Sequence, residues 1–135
     1  MLTVESTPLV ADVRFLHEGL LEFNREATGG GEELGVFERL HGEFMGGAYG
    51  WTWGGTCYLR YVFVPEVLRR LGLGRKIMRA VESEARRRGC HQIMLETHSF
   101  QAPGFYRKLG FEVTCEIADY PRGHRHMTMV KRLGE

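Results

Sequence analysis

The sequence predicts a mixed α+β fold in one domain over residues 1–135. Three observations predict it. Hydrophobic residues recur at helical spacing near the N-terminus, give way to strand chemistry in the middle, and return to helical spacing after Gly72. Glycine turns punctuate the strand-rich middle and make it an antiparallel meander. No long linker or internal repeat divides the chain, so its elements share one core. An apolar share of 43% supplies that core, and 26% charged residues suit a solvated surface.

The elements follow in order. Val10, Val13, Leu16 and Leu20, with Asp12, Arg14 and Glu18 between them, predict an amphipathic helix over residues 8–25. The glycines of residues 28–31 end it in a loop. Residues 36–40 read as a strand, His41-Gly42 as a turn, and residues 43–53 as a second strand. Gly46, Gly47 and Gly50 weaken that strand and mark a bulge. Gly54-Gly55 is a hairpin turn into residues 56–64, a third strand rich in aromatic and β-branched side chains. Leu73, Ile77, Val81 and Ala85 then define one apolar face of a helix that Gly89 closes. A strand over 92–97 follows, then a short helix opened by Pro103 and closed by Gly110. Strands over 111–117 and 125–132 complete the chain, joined by a turn at 119–123.

The candidate site begins at Arg69-Arg70-Leu71-Gly72-Leu73-Gly74-Arg75, between a strand and a helix. Free N–H groups and the dipole at a helix N-terminus favour an anion. Glycine lets phosphate approach the backbone, and Arg69, Arg70 and Arg75 add positive charge. A dinucleotide fingerprint is excluded because Ile77 occupies the position of its third small residue, and a Walker loop because Gly-Lys-Ser/Thr is absent. The competing reading is an ordinary strand-to-helix turn with a solvated basic face.

Two motifs resemble the GNAT superfamily of acyl-CoA-dependent N-acyltransferases. Arg69-Arg70-Leu71-Gly72-Leu73-Gly74 matches the signature Gln/Arg-x-x-Gly-x-Gly/Ala of that family. Ala102, Tyr106, Gly110 and Phe111 match its second signature, an alanine four residues before a tyrosine that is followed by x-x-x-Gly-Phe. The resemblance covers residues 42–133, and the N-terminal part fits in outline. It implies a mostly antiparallel sheet of six or seven strands flanked by helices, with a splay between the strand ending at Val64 and the strand over 92–97. Acetyl-CoA would lie in that splay as co-substrate, with its pantetheine arm on the backbone of Val62, Phe63 and Val64. Its pyrophosphate would rest on Leu71, Gly72, Leu73, Gly74 and Arg75, with Arg69 and Arg70 beside it. The chain departs from the family in carrying Ser99 where many members have asparagine, and the resemblance gives that role to Gln101. Closer similarity, over 95–103 and 119–124, is to a group of small bacterial acetyltransferases.

The resemblance also implies the chemistry. An amine must lose a proton before it attacks a thioester, the oxyanion needs a donor such as the N–H of Phe63 or Val64, and the leaving thiolate needs a proton. Tyr106 stands at the position of the family's acid, and it also contributes to cofactor binding; the competing reading is a core aromatic between Phe105 and Phe111. Glu96 aligns with a glutamate that serves as base in some members, and a structural carboxylate is the alternative. Tyr58 replaces a glutamate found in histone-acetylating members, which argues against their mechanism; a water chain is a third route to the base.

Composition narrows the partners. A net charge of +1 argues against a dedicated nucleic-acid binder, although Arg69, Arg70, Arg75, Lys76 and Arg79 form a local basic cluster. Three cysteines without CxxC spacing exclude a disulfide framework or zinc site, and His124 with His126 makes an incomplete metal site, so no metal is expected. No signal peptide and no apolar run of ~20 residues is visible, so the expectation is a soluble, cytoplasmic protein. The acceptor is a small-molecule or peptide amine, with Trp51, Trp53 and Tyr120 available to line its pocket. A homodimer fits the aromatic content. A non-catalytic module that binds and senses acyl-CoA is the alternative to an enzyme.

Overall fold

The computed structural model describes residues 1–134, and these form two compact units, Met1–Gly31 and the remainder from Glu32 onward. The first unit holds helix α1, Val10–Thr28. Asp12 in its first turn and Arg25 in its last complement the helix dipole. The Gly29 N–H bonds the Arg25 carbonyl, and Thr28 Oγ1 donates to the Asn24 carbonyl. These bonds carry the helix past the predicted end at residue 25. Among the described residues no helix is long and apolar enough to cross a membrane.

The second unit is a six-stranded, mostly antiparallel sheet. Its strands are β1 (Glu32–Leu40), β2 (Glu43–Trp53), β3 (Thr56–Phe63), β4 (Gln92–His98), β5 (Glu112–Ala118) and β6 (Arg125–Arg132). Their order is β1-β2-β3-β4-β6-β5. Helices α2 (Leu73–Arg87) and α3 (Pro103–Lys108) complete it, with a short 3-10 turn at Glu66–Leu68. The α+β class, the splayed sheet and the flanking helices are as the sequence predicted.

β1 starts at Glu32, before the expected residue 36. Glu32 to Gly35 pair with Thr52 to Tyr49, and Arg88 Nη1 donates to the carbonyls of both Glu32 and Glu33. Pairing therefore draws two polar residues into an edge strand that side-chain pattern alone leaves out. In the β1–β2 ladder Met45 is the extra residue, next to Gly46, as the glycines of β2 predicted.

The core lies on the α2 side of the sheet. Ile77, Met78, Val81 and Ala85 of α2 are buried. Leu59, Ile93, Leu95, Met127 and Met129 join them in the same cluster, each at most 2% exposed. Alternation along β4 and β6 then sends Met94, Glu96, His98, His126 and Thr128 to the opposite face.

Candidate active site

β3 and β4 are parallel and hydrogen-bonded over only four register pairs, from Thr56↔Gln92 to Leu59↔Leu95. Beyond that point β3 pairs only with β2 and β4 only with β6. The parting coincides with a bulge. Tyr49 pairs with Tyr61 and Gly50 with Leu59, leaving Arg60 as the extra residue on β3. A bulge bends its strand and increases the local twist, which turns β3 away from β4. The close approach of β2 and β3 there requires glycine: a Cβ at Gly50 would stand 1.8 Å from the Tyr58 carbonyl oxygen. The open edge of β3 carries Val62 and Phe63, two of the predicted cofactor residues, with Val64 just beyond its end.

The glycine turn follows. Gly72 adopts φ 82°, a left-handed conformation that disfavours other residues, and it is the N-cap of α2. No side chain caps the helix, and the first intrahelical bond runs from the Lys76 N–H to the Gly72 carbonyl at 3.0 Å. The amides of Leu73, Gly74 and Arg75 therefore have no intrahelical acceptor. A Cβ at Gly72 would meet nothing within 4 Å, so the approach to these amides is open. Arg70, Leu71 and Arg75 are exposed. Arg69 has a partner of its own on the backbone. Its Nε donates to the Val64 carbonyl at 2.8 Å and its guanidinium lies 5.9 Å from the Phe63 ring centre. It ties the turn to the end of β3.

Tyr106 lies in α3, 7% exposed, edge-on to the rings of Phe105 and Phe111. Burial alone pushes its phenol up to about 12, so it keeps its proton at neutral pH. The Phe105 ring stands 3.1 Å from where a Cβ of Gly74 would be, so α3 packs on the glycine turn. Gln101 sits at the end of β4. Its Oε1 accepts from the His98 N–H at 2.7 Å and the Thr97 hydroxyl at 3.4 Å. Ser99 instead continues the β4–β6 pairing, exchanging bonds with the backbone of Arg125.

Glu96 is the centre of a constellation. Its Oε1 accepts from the Tyr58 hydroxyl at 2.5 Å, and its Oε2 lies 2.9 Å from His126 Nε2. A carboxylate only accepts, so that imidazole nitrogen carries the proton and donates. The Tyr58 bond above all, with help from His126 and against the cost of desolvation, holds the Glu96 carboxyl below its ordinary value. Burial and the same bond push the Tyr58 phenol up to about 12. Trp51 packs against Tyr58 with ring centres 5.0 Å apart. His126 is only 8% exposed, and its Nδ1 is buried without a partner. It packs between Tyr120 and His98, because β6 lies beside β4. Neither the Tyr58–Glu96 bond nor the histidine cluster is evident from the sequence. A parallel register placing Tyr58 beside Met94 would have brought Tyr58 and Glu96 together on one face. Trp53 is 39% exposed at the end of β2, next to the hairpin turn.

Comparisons with known proteins identify the family and the fold. The profile of the Acetyltransferase (GNAT) family matches residues 6–111. The chain is 36% identical over 96 residues to the blasticidin-S acetyltransferase of Streptomyces morookaense, a match spanning 68% of each chain. The solved structure of an acetyltransferase from Bacillus cereus superposes with a TM-score of 0.78 at 25% identity, covering 96% of this chain and 97% of that one. An aminoglycoside 6′-N-acetyltransferase complexed with coenzyme A shares the fold, with a TM-score of 0.68 at 18% identity over 77% of this chain and 74% of that one.

Proposed function

The chain belongs to the acetyltransferase (GNAT) family, and from that premise we propose that it transfers the acetyl group of acetyl-CoA directly to a primary amine in a ternary complex. The observation that carries the proposal is the end of the β3–β4 ladder at Leu59 and Leu95, close in the chain to an uncapped, glycine-led helix N-terminus. The residues fit the donor. Val62, Phe63 and Val64 would hold its pantetheine arm as an added strand. The amides of Leu71 to Arg75, with Arg70 and Arg75, would hold its pyrophosphate. Arg69 supports the cradle by fixing Val64 to the turn. Gln101 fixes the end of β4 through the His98 N–H.

Bound acetyl-CoA supplies an acyl thioester open to attack by an amine. Everything else falls to side chains and backbone. Glu96 is the base in this reading. It is ionised at neutral pH, so it attracts an ammonium group and receives its proton directly or through a water. The amide of Phe63 or Val64 donates to the developing oxyanion. Tyr106 returns a proton to the departing sulfur, and its raised pKa keeps that proton available. The reading includes a cytoplasmic location, where three unpaired cysteines remain reduced. The antibiotic acetyltransferase among its relatives favours a small-molecule acceptor over a peptide.

The test is a screen of primary amines with acetyl-CoA, read by release of free thiol. Transfer predicts thiol that appears only with both substrates and in proportion to acetylated amine. Binding of coenzyme A with no amine-dependent thiol across the screen would leave an acyl-CoA-sensing module instead.

A further inference from the structure

The face of the sheet beyond the splay carries an aromatic cluster that acetyl transfer itself does not require. Tyr120 stacks on His126 with centres 5.2 Å apart and planes 21° apart. Phe100 stacks on His98 at 5.4 Å and 22°. His98 in turn meets both Tyr120 and His126 edge-on, at 5.4 and 5.1 Å. His126 reaches the Glu96 carboxylate at 2.9 Å. Yet Tyr120 and Phe100 are each 55% exposed. Each ring thus has an imidazole behind it, which sets its orientation; Phe100 also meets the His124 ring at 4.8 Å, and both rings keep substantial open surface. Large aromatic side chains fixed in this way and left open beside a charged group are typical of a recognition surface rather than a core.

The chemistry selects the ligand. Ring faces favour flat unsaturated groups through offset stacking, and favour cations over anions. Glu96 offers a negative group for an ammonium, with Arg60 the cation that acts on it from β3. We infer that Tyr120 and Phe100, each backed by an imidazole and set roughly at right angles to one another, form a two-walled aromatic platform beside Glu96, one ring to stack on and the other to meet edge-on, that selects primary amines carried on a flat aromatic body. The inference rests on the acetyltransfer reading and names its acceptor class. It differs from a general preference for greasy amines, since a saturated ring of the same size buries as much apolar surface without a π-face.

The experiment compares 2-phenylethylamine with 2-cyclohexylethylamine, two primary amines of the same carbon skeleton. The platform predicts kcat/KM about tenfold higher for the aromatic amine, the sum of two ring contacts of ordinary strength. The preference should vanish in the Tyr120→Leu/Phe100→Leu double variant and persist in Tyr120→Phe, with coenzyme A affinity the same in all. Equal rates for the two amines, or a preference that survives the double variant, would overturn the inference. If neither amine is acetylated although coenzyme A binds, calorimetric titration of each amine into the coenzyme A complex decides the matter. Tighter binding of the aromatic amine supports the platform while the transfer reading fails, and equal or absent binding overturns the platform too. Phe100→Leu alone, which keeps an exposed apolar side chain, gives the intermediate preference if the double variant is unstable.

Discussion

Replacing Tyr106 by phenylalanine separates a catalytic phenol from a core aromatic. The ring is 7% exposed and packs on Phe105 and Phe111 at centre distances of 5.2 and 5.7 Å, contacts that phenylalanine keeps. Burial alone raises the phenol, with no side-chain bond acting on it, so the substitution removes no hydrogen bond within the described residues. Stability should change by less than about 0.5 kcal/mol, since no bonded partner is left unsatisfied. The melting temperature then moves by less than about 3 °C. Turnover should fall about 100-fold or more, as loss of a general acid does, which is about 2.7 kcal/mol on the barrier. The phenol near 12 carries its proton throughout the usual assay range, so wild-type kcat should show no loss through Tyr106 below about pH 11. Steady-state thiol release gives kcat and KM, and calorimetry gives coenzyme A affinity, which should be unchanged. Turnover within twofold of wild type would refute the acid role and leave Tyr106 as packing.

Other predictions test the scaffold. Arg88, with its side chain 14% exposed, bonds Glu84, the Thr52 hydroxyl and the carbonyls of Glu32 and Glu33. Arg88→Ala should cost about 1–3 kcal/mol in urea unfolding, because two backbone carbonyls and the buried Thr52 hydroxyl lose their donor. Glu84 has its folded pKa lowered to about 2, first by Arg87 and then by Arg88, against an ordinary 4.5. Its stabilising contribution is therefore complete above about 4.5 and is lost as pH falls toward about 2. Melting temperature followed over that window should drop, and should drop less in Glu84→Gln. Gly50→Ala places a Cβ 1.8 Å from the Tyr58 carbonyl oxygen and should cost about 1–3 kcal/mol, with weaker coenzyme A binding as the bulge shifts. Wild-type stability and affinity in that variant would show that the bulge does not set the splay.

The sequence announced what depends on local pattern. The four apolar positions of α2, the Gly54-Gly55 hairpin and the glycine turn at Gly72 each have a short-range cause, and each stands where the pattern put it. Strand ends moved where pairing overruled composition, as at Glu32. The 3-10 turn at Glu66–Leu68 carried no distinctive signal. What lay beyond local pattern was adjacency. β6 lies between β4 and β5, although β5 precedes it in the chain, and this puts His126 opposite His98 and within reach of Glu96. Tyr58 entered the reading as a replaced glutamate, whereas in the fold it hydrogen-bonds Glu96 from 38 residues away. Arg69 read as a phosphate cation from charge and from the signature; its Nε bond to the Val64 carbonyl could not be read from either. The glycine motif thus marked the proposed donor end of the site, while the proposed acceptor end came from strands that meet only in the folded sheet.

The most direct test is a backbone amide NMR titration of the protein with coenzyme A. The account predicts saturable shifts concentrated at Val62 to Val64 and at Leu71 to Arg75, with the Gly72 and Gly74 amides among the most displaced. No saturable shift, or shifts centred away from the β3–β4 splay and the α2 N-terminus, would contradict it.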